Sequence, residues 1–500
     1  MNSANITKLN SRAIFMSISS SNQSFQHAFC GDVLGTDDAV SLAQKLRGDE
    51  ISSDELSKAA LARAKLINPS ICAINYLLTE EQIFNESLKV KNHQKITSDA
   101  FFFHGIPSFL KDNVAYKGMP TSFGSNAFSP KIEKKHSPYT NQFCSTGLRV
   151  LGKSALPEFG FNASTEPAHK EATKNPWNLN FSSGASSGGT AALVAAGVVP
   201  FAHGNDGGGS IRIPAACCGL VGLKPSRGRH VNEYVSRSLP INIVSEGILS
   251  RSVRDTAYYH FEAQKVYQNP ELPPLPLVTE AGSKRLRIAC YVDSVTGYST
   301  DKETRDTCLR SADILAKAGH QVDEIRFPVS AQFSDDFTIY WGMLAYIVQK
   351  TGRLSLSKKF DKQKLDALST GLAKHYRKQM YKTPFMISQL KKHALQFQAP
   401  FETYDLYLSP VLGQSPRPLG ELNPSQSFDS LLDRIIRYVS FTPMANIAGT
   451  PAIAIPAGQT AQGLPIGIQL SGRLGAEQTL LEVAFELEEL QPWKFLFDKV

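Results

Sequence analysis

An α/β fold follows from three features of this 500-residue chain. A strand–helix–strand unit runs through "RLRIACYV", "DKETRDTCLRSADILAKAG" and "HQVDEIRFP". Short apolar strands return at "YDLYLSP" and "TPAIAIPAG", and amphipathic helices open the ordered part of the chain. Strands alternating with helices of this length build a sheet with helices packed on its faces.

Taken in order, residues 1–36 are rich in Ser and Asn, with "AIFMSIS" as their only apolar patch. They are expected to form a poorly ordered leader. The patch is too short and polar for a signal peptide, although Lys8 and Arg12 precede it. The folded domain is expected over 37–500. "TDDAVSLAQKLRGDE" spaces Val40, Leu42, Ala43 and Leu46 on one helical face, with Thr36 or Asp37 as cap. "SSDELSKAALARAKLINP" repeats the pattern, capped by Ser52 or Ser53 and predicted to stop before Pro69. "NPELPPLPLV" (269–278) reads as a surface connector, and 350–400 as a basic helical region.

Composition excludes several classes. The chain is 42% hydrophobic and 20% charged with a net charge of +8, ordinary globular usage. Lys and Arg are scattered apart from pairs such as Lys134-Lys135 and Lys391-Lys392, so no nucleic-acid partner is expected. No apolar run reaches the roughly 18 residues of a membrane span. Seven cysteines without CxxC spacing point to neither zinc nor a disulfide framework. Reduced thiols in a cytoplasmic enzyme, with no metal and no cofactor, are the expectation.

Two motif matches lead elsewhere. "GLRVLGKS" (147–154) fits the phosphate-loop pattern GxxxxGK[ST], but Leu148, Arg149, Val150 and Leu151 read as a buried strand. "GASSG" (184–188) fits the nucleophile elbow GxSxG around Ser186, yet "NPWNLNFSS" before it consists of turn formers rather than a strand.

The stretch "NDGGGSIRIPAACCG" is more informative. Gly207-Gly208-Gly209-Ser210 could be a linker, but an apolar run with the single charge Arg212 follows at once. Glycines beside a buried segment mark close backbone approach. "GIPSFLKDN" ends an apolar run on Lys111, whose amine would become a base near neutral pH if buried.

Together, "GIPSFLKDN", "LGKSALPEFGF", "NPWNLNFSSGASSGGTAALVAAG", "NDGGGSIRIPAACCGLVGLKPSRGR" and "GTPAIAIPAG" resemble the amidase signature family. Ser186 follows Lys111 by 75 residues and Ser210 follows Ser186 by 24, similar to that family's Lys–Ser–Ser arrangement. The likeness spans roughly 37–500. It implies a single large domain, a mixed twisted sheet covered by helices. It also implies Ser210 as nucleophile, Ser186 (after a cis peptide bond) as proton relay and Lys111 as base. Amides of Gly207, Gly208, Gly209 and Ser210 would face the oxyanion, while Ser187, Asp206 and Arg212 would support the loop. His203 reads as structural. Ala185 stands where many relatives have glycine, Thr190 where serine is usual, and "HGND" replaces the commoner Gly-Thr-Asp lead-in. With "STEPAHKEATKNPWN", that lead-in looks similar to the branch of nylon-oligomer cyclic amide hydrolases.

Three functions compete at this point. The first is a stand-alone amidase acting on a small-molecule amide. The second is the glutaminase subunit of a tRNA-dependent amidotransferase. The third is a non-enzymatic binding protein, against which the complete Lys111, Ser186 and Ser210 set argues. A homodimer is compatible with the sequence, and the amide itself is not legible in it.

Overall fold

The computed structural model describes residues 25–83 and 101–499. A small sheet comes first, from β1 (Ile74–Leu77), β2 (Pro107–Lys111) and β3 (Arg149–Ser154), in the order β1-β3-β2. β2 runs parallel to β3 and β1 antiparallel to it. The would-be phosphate loop is therefore the buried strand β3, and the buried Lys153 amine on it donates to the Val114 carbonyl. A hairpin of β4 (Lys174–Asn175) and β5 (Asn178–Ser182) leads to the serine loop.

Among the described residues the main sheet has eight strands. They are β6 (Phe201–Asp206), β7 (Val221–Lys224), β8 (Ser245–Ser250), β9 (Arg287–Cys290), β10 (Gln321–Glu324), β11 (Leu406–Pro410), β12 (Ala452–Gln459) and β13 (Pro465–Gly472). Their order is β10-β9-β11-β13-β12-β7-β8-β6. β9 is parallel to both β10 and β11, as the predicted strand–helix–strand unit requires, and the remaining pairs are antiparallel. The sheet is thus mixed, within a single domain. On one face, Ile453, Ile455, Ile468 and Leu470 pack with buried residues of the helices Lys302–Lys317 and Glu477–Leu490. On the other lies Arg212–Cys218, the apolar tail of the glycine motif. It sits close because Gly222 and Gly467 have no side chain: a Cβ there would stand 2.8 Å from Ala215 and 2.7 Å from Ala216.

Some elements depart from expectation. The first helix is Ala39–Arg47 and its cap is Asp38, whose carboxylate accepts from the Ser41 N–H at 2.9 Å. The second, Ser53–Ile71, is capped by Ser52 in a capping box and runs through Pro69. Proline is tolerated there because it falls in the last turn. Asn68 then accepts from the N–H groups of Ala73 and Ile74 and closes the end. Part of the segment expected as a leader is packed against the fold. Residues 1–24 lie outside the described part, but Ala28 and Leu34 are buried. Arg63 ties the segment down, bonding Asp32 at 2.8 Å and the carbonyls of Gly35 (2.9 Å) and Gly197 (2.6 Å). Strand β5, absent from the sequence reading, pairs only with the two-residue β4 and bridges Phe181 to Pro418. Its Asn-rich composition carries little strand propensity.

Candidate active site

Three backbone elements converge at one end of β6. Strand β2 ends on Lys111, the loop after β5 carries Ser186, and the loop after β6 carries Ser210. Lys111 is wholly buried, and its amine lies 2.8 Å from Ser186 Oγ and 2.7 Å from Asn205 Oδ1. Burial lowers its pKa to about 7, against the opposing pull of Glu246 and Asp206. A lysine pushed down that far can give up its proton near neutral pH and serve as a base.

Ser186 is buried as well, and the Ala185–Ser186 peptide bond is cis. The loop bends at Gly184 (φ 77°), where a Cβ would come within 2.8 Å of the Pro214 backbone. Thr165 Oγ1 donates to the Gly184 carbonyl at 2.9 Å. The two serine-bearing loops are stitched together, since the Ser187 N–H donates to the Ser210 carbonyl at 3.3 Å. Ser187 Oγ itself donates to the Asn205 carbonyl at 3.4 Å.

The glycine loop is shaped from beneath by Asp206. Its carboxylate accepts from the N–H groups of Gly209 (2.6 Å) and Ile211 (3.1 Å), and pairs with the Arg212 guanidinium at 3.0 Å. Both side chains are fully buried. Burial alone would raise the Asp206 carboxyl, yet Arg212 and the converging hydrogen bonds hold it well below the ordinary carboxylate range. Asn446 completes the knot, donating to the Asp206 carbonyl and carboxylate, each at 2.8 Å, and accepting from Arg212 at 2.7 Å. Arg212 also bonds Gln469 at 3.0 Å. Gly209 sits at φ 128°, where a Cβ would strike Thr442 Oγ1 at 2.3 Å. Thr442 in turn donates to the Gly208 carbonyl at 2.7 Å.

The expectation that four successive amides face an oxyanion changes at one position. The Gly209 N–H is directed at Asp206, and Gly209 does not line the cavity; Gly207, Gly208 and Ser210 do. His203 accepts from the Lys111 N–H through Nδ1 at 3.1 Å, so Nε2 carries its proton and faces Glu246 at 2.9 Å. Burial and the nearby Lys111 push His203 well below its ordinary pKa, while burial raises Glu246 to about 8. The ring thus holds strand β2 in place.

Sequence reasoning missed Asn205, Glu246, Thr442, Asn446 and Gln469. Asn205 had a signal, standing directly before Asp206 in a β-strand that ends at the glycines. The others come from distant strands and helices, and only the fold brings them here.

Above the serines opens a cavity of about 210 Å³. Ser186, Asn205, Gly207, Gly208 and Ser210 form part of its floor. Among the described residues there is no group of three or more His, Cys, Asp or Glu side chains placed to hold a metal ion. No described helix is long and apolar enough to cross a membrane.

The chain resembles known proteins along most of its length. Residues 55–481 match the Amidase family. The chain is 42% identical over 468 residues to AmiC of Mycobacterium leprae, which carries an amidase name, across 93% of this chain and 98% of the other. It is 31% identical over 481 residues to the 6-aminohexanoate-cyclic-dimer hydrolase of Pseudomonas sp., across 91% and 95%. A solved structure of 6-aminohexanoate cyclic dimer hydrolase with substrate superposes with a TM-score of 0.79 at 28% identity, covering 91% of this chain and 97% of that one. A solved subunit of the glutamyl-tRNA(Gln) amidotransferase of Thermotoga maritima shares the fold, with a TM-score of 0.68 at 22% identity, covering 91% of this chain and 95% of that one. The chain therefore belongs to the amidase family and is an amidohydrolase acting on carbon–nitrogen bonds other than peptide bonds.

Proposed function

We propose that this amidase works through an acyl-enzyme on Ser210, with Ser186 as proton relay and Lys111 as base. The observation that carries it is the 2.8 Å contact between a fully buried lysine and Ser186, on the floor of the cavity that Ser210 lines. As neutral Lys111 takes the Ser186 proton, Ser186 takes that of Ser210, whose Oγ bonds to the carbonyl carbon. The negative charge on the carbonyl oxygen is met by the amides of Gly207, Gly208 and Ser210, with Gly209 serving as the bend that aims them. One such donor is worth about 10²–10³ in rate. When the C–N bond breaks, the proton returns through Ser186 to the leaving nitrogen. Water then repeats the sequence on the ester and releases the acid.

The elbow reading regains its strand, because β5 precedes the serine loop and the helix Gly188–Ala195 follows. It lacks a base of the right kind, since both ring nitrogens of the buried His203 are engaged elsewhere. Seven free cysteines support a cytoplasmic location. Ser210→Ala and Lys111→Ala should each lower amide turnover by about 10⁴-fold or more with circular dichroism unchanged. A fluorophosphonate should label Ser210 in the wild type, located by peptide mass spectrometry. Label on Ser186, with Ser210→Ala still active, would give the elbow reading the site.

A further inference from the structure

Among the described residues, none that lines the cavity receiving the amide is Asp, Glu, Lys, Arg or His; the buried Lys111 lies behind Ser186, outside its surface. Its polar members are neutral, and its apolar ones include five aromatic side chains. Phe159 and Phe161 come from the loop after β3, with ring centroids 6.1 Å apart. Phe333, Phe337 and Trp341 come from the helix Gln332–Ser355, the first two with centroids 5.9 Å apart.

The apolar wall reaches the reacting centre itself. A Cβ on Gly208 would stand 3.3 Å from the Phe337 ring, and one on Gly207 would stand 3.7 Å from Val244 and 3.8 Å from Ile243. The glycines beside Ser210 are thus flanked by apolar side chains. The space, about 210 Å³, exceeds the cavity of about 150 Å³ in which a protein core holds benzene.

We infer that the substrate is a neutral amide of a ring-bearing carboxylic acid, its planar or alicyclic group held between the two aromatic sets. This rests on the proposed role of Ser210. A carboxylate or ammonium carried into such a wall loses its water without gaining a counter-charge, and the penalty is severe. A flat ring replaces water with aromatic faces and edges at little conformational cost. Free glutamine, with both charges on its α-carbon, has no partner for either. The cavity thus sets this chain apart from a glutaminase, although its fold is shared with part of an amidotransferase.

The test compares benzamide, cyclohexanecarboxamide, hexanamide, 4-carboxybenzamide, 4-(aminomethyl)benzamide and glutamine. The two neutral ring amides should exceed hexanamide in kcat/KM by about 10-fold. They should exceed the charged amides and glutamine by at least about 100-fold. Calorimetric binding of the same compounds to Ser210→Ala should give the same order, and that measurement needs no chemistry. Charged compounds or glutamine binding as well as benzamide would overturn the inference, and hexanamide matching the ring amides would overturn its ring component. Turnover in the expected order that survives Ser210→Ala would count against the acyl-enzyme and leave the inference upheld.

Discussion

The floor and the wall of the cavity are built on opposite principles. The floor is a knot of buried polar groups at the ends of β2, β6 and β8, where Lys111, Asn205, Asp206, Arg212 and Asn446 satisfy one another at 2.7 to 3.1 Å. The wall comes largely from helices and carries neutral side chains on residues that are often half-exposed, such as Phe337 and Trp341. Charge pre-placed in a dry interior is strong and costs no rearrangement during reaction, but every member must be matched. Apolar contact is weak per atom, tolerant of replacement and adjustable to the substrate's shape. Chemistry is thereby separated from selection, and substitutions in the two regions should fail in different ways.

Arg212→Ala breaks the floor most severely. It leaves the fully buried Asp206 carboxylate without its cation, a change typically costing about 3–5 kcal/mol. Denaturant unfolding should show that loss, and turnover should collapse with the glycine loop. The wild-type pair also predicts a pH effect with a definite sign. Because the folded-state pKa of Asp206 is depressed, its contribution is complete above the ordinary carboxylate pKa and lost as pH falls through and below it. In Arg212→Ala, stability should depend less steeply on pH in that acid window.

Trp341→Ala tests the wall. The side chain is half-buried and lines the cavity, so stability should fall less than for Arg212→Ala. For a ring amide, KM should rise by about 10-fold while kcat stays within a few-fold, the signature of lost uniform binding. A collapse of kcat at unchanged KM would place Trp341 in the floor instead, and the division would fail.

The two regions also differ in how far they could be read from sequence. Lys111, Ser186, Ser210 and the glycines sit in local motifs whose spacing carries meaning, and Asp206 and Arg212 lie within six residues of each other. Strand–helix–strand periodicity placed β9 and β10 for the same local reason. Glu246 and Asn446 reach the floor only through strand pairing and packing; Glu246 stands opposite Asn205 in the β6–β8 register. The wall was less legible still, because Phe333, Phe337 and Trp341 look like the buried face of any amphipathic helix. Local exceptions misled as well: Pro69 lies inside a helix because it falls in the last turn, and the asparagines of β5 form a strand only as a short hairpin.

The smallest expected effect is the most diagnostic of how the floor operates. Glu246 bonds His203 at 2.9 Å, and His203 holds the Lys111 backbone, so a purely structural role is open to it. An ionised carboxylate there would favour the ammonium form of Lys111, but burial raises Glu246 itself to about 8, so most of its charge is absent where Lys111 titrates. Asp206 on β6 also raises Lys111, His203 bonds both groups, and Glu233, Tyr139 and Tyr259 interact with Glu246. Glu246→Gln keeps an oxygen to accept from His203 Nε2 and removes only the charge. Wild-type kcat/KM should rise with pH through about 7 as Lys111 loses its proton. In Glu246→Gln that rise should stay near 7, because Glu246 is already mostly protonated there. A profile that stays in place while the thermal midpoint falls is the result expected of a bracket for His203. A shift toward acid at nearly unchanged stability would overturn that reading and show an ionised Glu246 opposing burial at the base.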